Sequence, residues 1–411
     1  MNSLPRVTRS RREIWLTIAG ILLIAANMRA AITSVGPLIN QISSSYQLSS
    51  ELSGLLTSMP LLAFAVMSLV APRISERFGA ERSLLYSLVL LIAGMLVRAI
   101  PGAPALFVGT ALLGLAIAVS NVLLPSIIKR DFPTQIGLLT GSYSVTMSMF
   151  AAIASGAAVP LSSMPGWDWN LSLLVWVLLA VIALVAWLPR SLKAKPVGTL
   201  RAPGSLSSMF RSPLAWRITF FMGLQSMTFY VTIAWLPAIL HERGFSAAAG
   251  GWMLSLMQLV SLPTSFFLPV WASRMRTQLP LVLASGITSL SAYAGLLWGS
   301  TDLSVLWIIL LGLSQGATIS LALTFFGLRT RNAAEAARLS GMAQSFGYLL
   351  AALGPVLLGT LHDSFNSWNP VLVVLLLVSL TVLLLGLGAG RNRYVSPAET
   401  ISTDSSPRPV G

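Results

Sequence analysis

The 411-residue chain contains no cysteine, which excludes disulfides, thiolate metal sites and cysteine nucleophiles and leaves the redox compartment unreadable. Charge is nearly as scarce, since Asp, Glu, Lys and Arg together make up 9% of the residues. A soluble domain carries about 25%. No Asp or Glu falls clearly within a hydrophobic run, so the buried carboxylate that commonly carries a coupling proton is not visible. The two histidines, His241 and His362, lie at the outer ends of such runs. With no metal-ligand spacing and no cluster of nucleophile, base and carboxylate inside these runs, neither a metal site, a resident cofactor nor an intramembrane enzyme is expected.

Hydrophobic residues instead make up 55% of the chain, arranged in twelve apolar runs of roughly 20 residues, the length needed to cross a hydrocarbon core. The sequence divides into an N-terminal tail (1–13), a first six-span half (14–188), a polar, basic, Pro/Gly/Ser-rich linker (189–212), a second six-span half (213–388) and a disordered tail (389–411). Arg6, Arg9, Arg11 and Arg12 precede a first span that is expected to be retained, because no small-residue cleavage site follows. The net charge of +14 would suggest nucleic acid in a soluble protein. Here all but Arg29, Arg98 and Arg243 of the 26 bases fall in, or as with Arg217 just beyond, the termini, the linker and the loops at Arg73–Arg82, Lys129–Arg130, Arg274–Arg276 and Arg329–Arg338. By the positive-inside rule that face, with both termini, is cytoplasmic, and no nucleic-acid partner is expected.

The halves repeat. A shift of 200 residues superposes Pro37 on Pro237 and Leu139-Thr140-Gly141 on Leu339-Ser340-Gly341, and brings Arg73 next to Arg274 and Lys129-Arg130 next to Arg329 and Arg331. The expected fold is an all-α membrane protein with twelve transmembrane helices in two six-helix halves, a parallel repeat with its site between the halves.

The loop from Pro72 to Arg82, PRISERFGAER, resembles the major facilitator superfamily signature G-x-L-x-D-R-x-G-R-R. Glu76, Arg77, Gly79 and Arg82 match in kind, whereas Pro72 stands for the leading glycine and Glu81 for an expected base. Such a loop serves as a conformational latch at the cytoplasmic helix ends, and its plain alternative is a topogenic basic loop. Longer stretches narrow the resemblance: Asn27 to Pro37, Asn121 to Pro133 with Leu139 to Tyr143, Trp235 to Leu240, and Ser340 to Tyr348 through Asp363. These are similar to the cyanate and nitroimidazole transporter family from the first span to the last, closer to its nitroimidazole branch. The resemblance implies the major facilitator fold, a bacterial inner-membrane location and a small, sometimes anionic, cargo.

Arg29 is the only formal charge well inside a run, where insertion costs roughly 2.5 to 3.5 kcal/mol. It has no acid in any span to pair with, so it is expected to bind a substrate anion or a nitro, carbonyl or ring-nitrogen acceptor. Its alternative is a structural arginine capping carbonyls at a helix break. Asn27, two residues away, lies about 200° around the helix and belongs to another face. The other candidates for substrate binding are Asn121, Tyr143, Gln225, Trp235, Gln258, Gln315, Gln344 and Tyr348; Tyr230, Phe229, Phe150 and Phe346 are further polar or aromatic span residues. Amides and phenols in lipid must find partners, so each either lines the site or glues helices together.

The expected function is secondary transport by alternating access within a monomer, moving a small-molecule substrate across the lipid bilayer. The resemblance favours efflux of a 2-nitroimidazole-type heterocycle, with cyanate or a small organic anion as the alternative. A transporter-like sensor is the alternative of another class. Coupling to a proton would run through Glu51, His241, Glu242 or Asp363 at the outer rim, or through a proton carried with the substrate; the alternative is uncoupled transport.

Overall fold

The computed structural model describes residues 11–48, 50–193 and 209–395. Among the described residues twelve helical segments are long and apolar enough to span a membrane. They are α1 (Arg11–Thr33), α2 (Ser50–Phe78), α3 (Ala80–Ala99), α4 (Ala103–Asp131), α5 (Ile136–Ser162), α6 (Trp176–Lys193), α7 (Pro213–Glu242), α8 (Ala247–Arg274), α9 (Leu279–Trp298), α10 (Ser304–Leu328), α11 (Ala333–Phe365) and α12 (Asn369–Ala389). A short helix, Trp169–Leu174, leads into α6, and Gly36–Leu38 and Ile39–Tyr46 follow α1. Only a helix satisfies its own backbone groups in hydrocarbon, and neighbours tolerate internal prolines there. Pro60, Pro125, Pro237 and Pro355 all lie inside spans.

Three boundaries differ from the sequence expectation. Helix α1 begins at Arg11, inside the expected tail. Helix α6 continues through Pro189 to Lys193, because Arg190 and Lys193 find partners in Thr17 and Glu13 of α1. The rest of the expected linker, 194–208, lies outside the described residues. The expected disordered tail is ordered up to Val395, which donates its N–H to Arg329 O at 2.9 Å and accepts from Ser212 Oγ at 2.9 Å. Residues 396–411 lie outside the described residues.

The two halves have one plan. In the first, α1 packs on α5 and α6, α2 on α4, and α3 on α4 and α6; in the second, α7 packs on α11 and α12, α8 on α10, and α9 on α10 and α12. Adding six to each member of the first set yields the second. Across the halves the main pairs are α2 with α11 and α5 with α8, which the same operation exchanges. The repeat-related glycines sit at these two seams. A Cβ on Gly341 would lie 2.5 Å from Ser68 O, and one on Gly141 2.6 Å from Phe266 O. Small residues let the backbones approach.

Both ends of the described chain lie on one face, here the terminal face. The seam between halves is closed from that face to mid-depth. Glu76 Oε1 accepts from Arg338 Nη2 at 2.8 Å and Nε at 3.0 Å. Deeper in, Ser345 Oγ donates to Ala65 O, Gln344 Nε2 donates to Asn121 O at 3.0 Å, and the rings of Phe64 and Tyr348 meet edge to face at 5.0 Å.

Candidate functional site

At the inner end of this closed seam, Arg29 extends from the last third of α1 toward the other half. Its Nη1 donates to the phenol oxygen of Tyr230 on α7 at 3.3 Å. The side chain is only half-buried, and Tyr230 is its hydrogen-bond partner among the described residues. One turn on, Thr33 Oγ1 donates to Arg29 O at 3.0 Å and to Ala151 O of α5 at 3.2 Å, fixing α1 against α5. Asn27 points elsewhere, its Nδ2 donating to Leu23 O and to Leu179 O of α6. It is helix glue on a different face, as its angular offset requires.

Two further phenols complete the group. Tyr348 of α11 is 6% exposed, meets Phe64 edge to face, and lies within electrostatic reach of both Arg29 and Tyr230. Tyr143 of α5 is an electrostatic neighbour of Tyr348; it is 2% exposed, and its hydroxyl has no hydrogen-bond partner among the described residues. A buried hydroxyl without a partner is costly, so this one is poised for a ligand atom or water. One turn toward the terminal face from Tyr348, Gln344 bonds Asn121 O and Ser340 Oγ, forming a floor. Arg29, Tyr143, Tyr348, Gln344 and Asn121 are thus gathered at one place, contributed by α1, α5, α11 and α4.

The remaining candidates lie elsewhere. Gln225 and Gln315 face the interior of the second half, lining a small cavity of about 10 Å³ with Thr228, Ser314 and Thr318. Gln225 Nε2 donates to Met222 O and Ser226 Oγ, and Gln315 Nε2 to Tyr293 OH. Trp235 donates to Pro355 O at 2.9 Å and packs on Trp368, tying α7 to α11 and the start of α12. Gln258 is exposed on α8. At the rim, Glu242 accepts from Trp368 N and Ser367 Oγ, and Asp363 pairs with His362 at 3.1 Å; the side chain of Glu51 lies outside the described residues.

Among the latch residues, Glu76 bridges the halves, and Arg77 lies over the ring of Phe78 at 5.3 Å. Gly79, with φ +84°, is the one-residue turn between α2 and α3, a conformation that a side chain would strain. Arg82 also has an interaction partner.

Sequence reasoning gave Tyr230 no place in the site, naming it only as a further polar residue of its span. It stands 201 residues from Arg29, one beyond Phe229, which the 200-residue offset pairs with Arg29. Phe64 had no such signal. Arg338, the latch partner, was read only as a topogenic base. Glu81, marked as a departure from the signature, joins Arg130 (2.5 Å) and Arg190 (3.3 Å), and Asp131 pairs with both arginines. Arg98, counted only as a base off the cytoplasmic face, is 2% exposed and donates from Nη1 to Ala31 O at 2.9 Å.

A family model described as Major Facilitator Superfamily matches residues 21–355. The chain is 46% identical over 389 residues to the uncharacterized transporter YycB of Bacillus subtilis, covering 94% of this chain and 96% of the relative. It is 42% identical over 380 residues to the 2-nitroimidazole transporter of Escherichia coli, covering 92% and 96%. Identity to the cyanate transport protein CynX of Escherichia coli is 30% over 349 residues, covering 85% and 90%. In fold the chain matches the Escherichia coli fucose:proton symporter FucP with a TM-score of 0.73 at 12% identity, over 91% of this chain and 98% of that one.

Proposed function

Because this chain belongs to the Major Facilitator Superfamily, we propose that it moves a small planar nitroheteroaromatic compound of the 2-nitroimidazole type out across the bacterial inner membrane. The protein is a multi-pass secondary transporter and not an enzyme. The observation that carries the cargo assignment is Arg29. A guanidinium at the seam, bonded to a neutral phenol and half-buried, offers a planar fork for the paired oxygens of a nitro group or an anion. Tyr143, Tyr230, Tyr348 and Phe64 supply flat faces and hydroxyls for the ring. The 42% identity to a 2-nitroimidazole transporter agrees with this chemistry.

Alternating access follows from the two-fold plan. The Glu76–Arg338 pair and the shut seam on the terminal face support a state closed toward the cytoplasm once the base-rich terminal face is placed there. Substrate contacts in all of α1, α5, α7 and α11 would draw the halves together around Arg29 and shift the equilibrium toward the opposite state. The site is complete in one chain, which supports a monomer as the transport unit.

A second reading, a small organic anion or cyanate, is favoured by the lack of a carboxylate partner for Arg29 among the described residues. Flux in proteoliposomes decides between them, using 2-nitroimidazole, cyanate and aromatic carboxylates under imposed pH and voltage gradients. Saturable 2-nitroimidazole flux is expected. Flux of the anions alone would replace the first reading with the second, and saturable binding without flux of any compound would indicate a sensor.

A further inference from the structure

A second feature lies away from the seam, on the outer wall of the second half at the terminal face. Between the first turns of α7 and the end of α12 an open groove of about 340 Å³ is lined by Arg217, Arg391 and a floor that includes Leu384, Leu385 and Leu387. Both arginines are exposed. Neither guanidinium has an acceptor among the described residues, whereas Arg130, Arg190, Arg329 and Arg338 all do. Among the described residues no carboxylate lines the groove. Gly388 shapes it: a Cβ there would stand 2.7 Å from Arg217 Cδ, so the glycine lets the arginine stem lie flat against α12.

The spacing along α12 separates charge from grease. Leu384 precedes Arg391 by seven residues, roughly 10 Å of axial rise, and its side chain is 60% exposed. Two cations at the helix ends therefore overhang an apolar surface that descends about 10 Å into the hydrocarbon. A phosphodiester anion suits the pair of guanidiniums, and acyl chains suit the leucines. We propose that this groove is a binding site for an anionic phospholipid of the leaflet at the terminal face, its phosphate held between Arg217 and Arg391 and one chain lying along Leu384. A basic helix end that serves topology alone would need neither the groove nor Gly388.

Native mass spectrometry of the full chain in detergent, titrated with phosphatidylglycerol or phosphatidylcholine, tests the site. The wild type is expected to retain phosphatidylglycerol about tenfold better, and the Arg217→Gln/Arg391→Gln double variant to lose that preference with unchanged thermal unfolding. Gly388→Leu, which pushes the Arg217 stem off α12, is expected to reduce it as well. Equal retention of the two lipids by the wild type, or an undiminished preference in either variant, would overturn the proposal. The outcome is independent of what the protein transports, because no groove residue belongs to the Arg29 site.

Discussion

At the terminal face the first half ties α3, α4 and α6 with charge on both sides, while the second half ties α9, α10 and α12 with charge on one. In the first corner Glu81 and Asp131 face Arg130 and Arg190. In the second, Arg329 donates to Gln278 Oε1 and to the carbonyls of Ala389 and Gly390 at the end of α12. The repeat offset sets Gly390 where the first half has Arg190. The same division recurs at mid-depth, where α1 carries Arg29 and α7 carries Tyr230, one residue beyond the repeat-related Phe229. One backbone plan thus supports two electrostatic designs. Neutral acceptors avoid desolvating a second ion, and at the seam they leave Arg29 without a carboxylate partner among the described residues.

The largest expected effect follows from that asymmetry at the seam. Arg29→Ala is expected to lower flux at least about 100-fold with normal membrane insertion, since removing a charged partner of a bound ligand costs several kcal/mol. Arg29→Lys should keep less than about a tenth of the flux, because an ammonium lacks the planar fork. Wild-type flux in the alanine variant, measured in proteoliposomes, would remove the distinction between the halves at the site.

The corners rank next. The Asp131 side chain is 1% exposed, so Asp131→Asn leaves Arg130 and Arg190 competing for Glu81 and is expected to cost about 3 kcal/mol. Arg329→Met strands only neutral acceptors, for about 2 kcal/mol. Thermal unfolding in nanodiscs should rank the variants in that order, and the reverse order would show that the neutral corner is the stronger tie. Between the halves, Glu76 is half-exposed, so Glu76→Gln removes about 0.5 kcal/mol from the closed latch. Spin labels on the terminal-face ends of α2 and α11 should then report a roughly twofold larger population open on that face. An unchanged distance distribution would reduce the pair to a bystander.

Span number, the repeat and the placement of Arg29 away from lipid were legible in the sequence because each rests on one-dimensional information: run length, residue offset, and the rarity of charge in lipid. The angular argument that separated Asn27 from Arg29 also held, since it needs only the helical period. The partner of each polar residue was not legible. Gln225 and Gln344 look alike in sequence, each an amide between an apolar residue and a serine, yet one faces the interior of its half and the other crosses the seam to Asn121 O. What separates them is the rotation of α7 and α11 relative to the seam, a product of packing across the whole half. Glu81 was misjudged for a related reason. Its role depends on Arg190, 109 residues away on α6, and a local motif carries no trace of that contact.

The smallest expected effect tests this placement of Gln225. Its amide nitrogen is satisfied by Met222 O and Ser226 Oγ, while Oε1 has no partner among the described residues and lines the small cavity inside the second half. Leucine has a similar volume and would remove the orphaned acceptor, a change that is close to neutral when no partner is stranded. The hydroxyl of Ser226 is the one group left to reorganise, and polar contacts between spans average only about 0.6 kcal/mol. Flux of Gln225→Leu is therefore expected within about twofold of wild type. A loss as deep as that of Arg29→Ala would mean that the substrate path enters the interior of the second half, and the neutral half would then bind cargo in its own right and not only complete the site of the other.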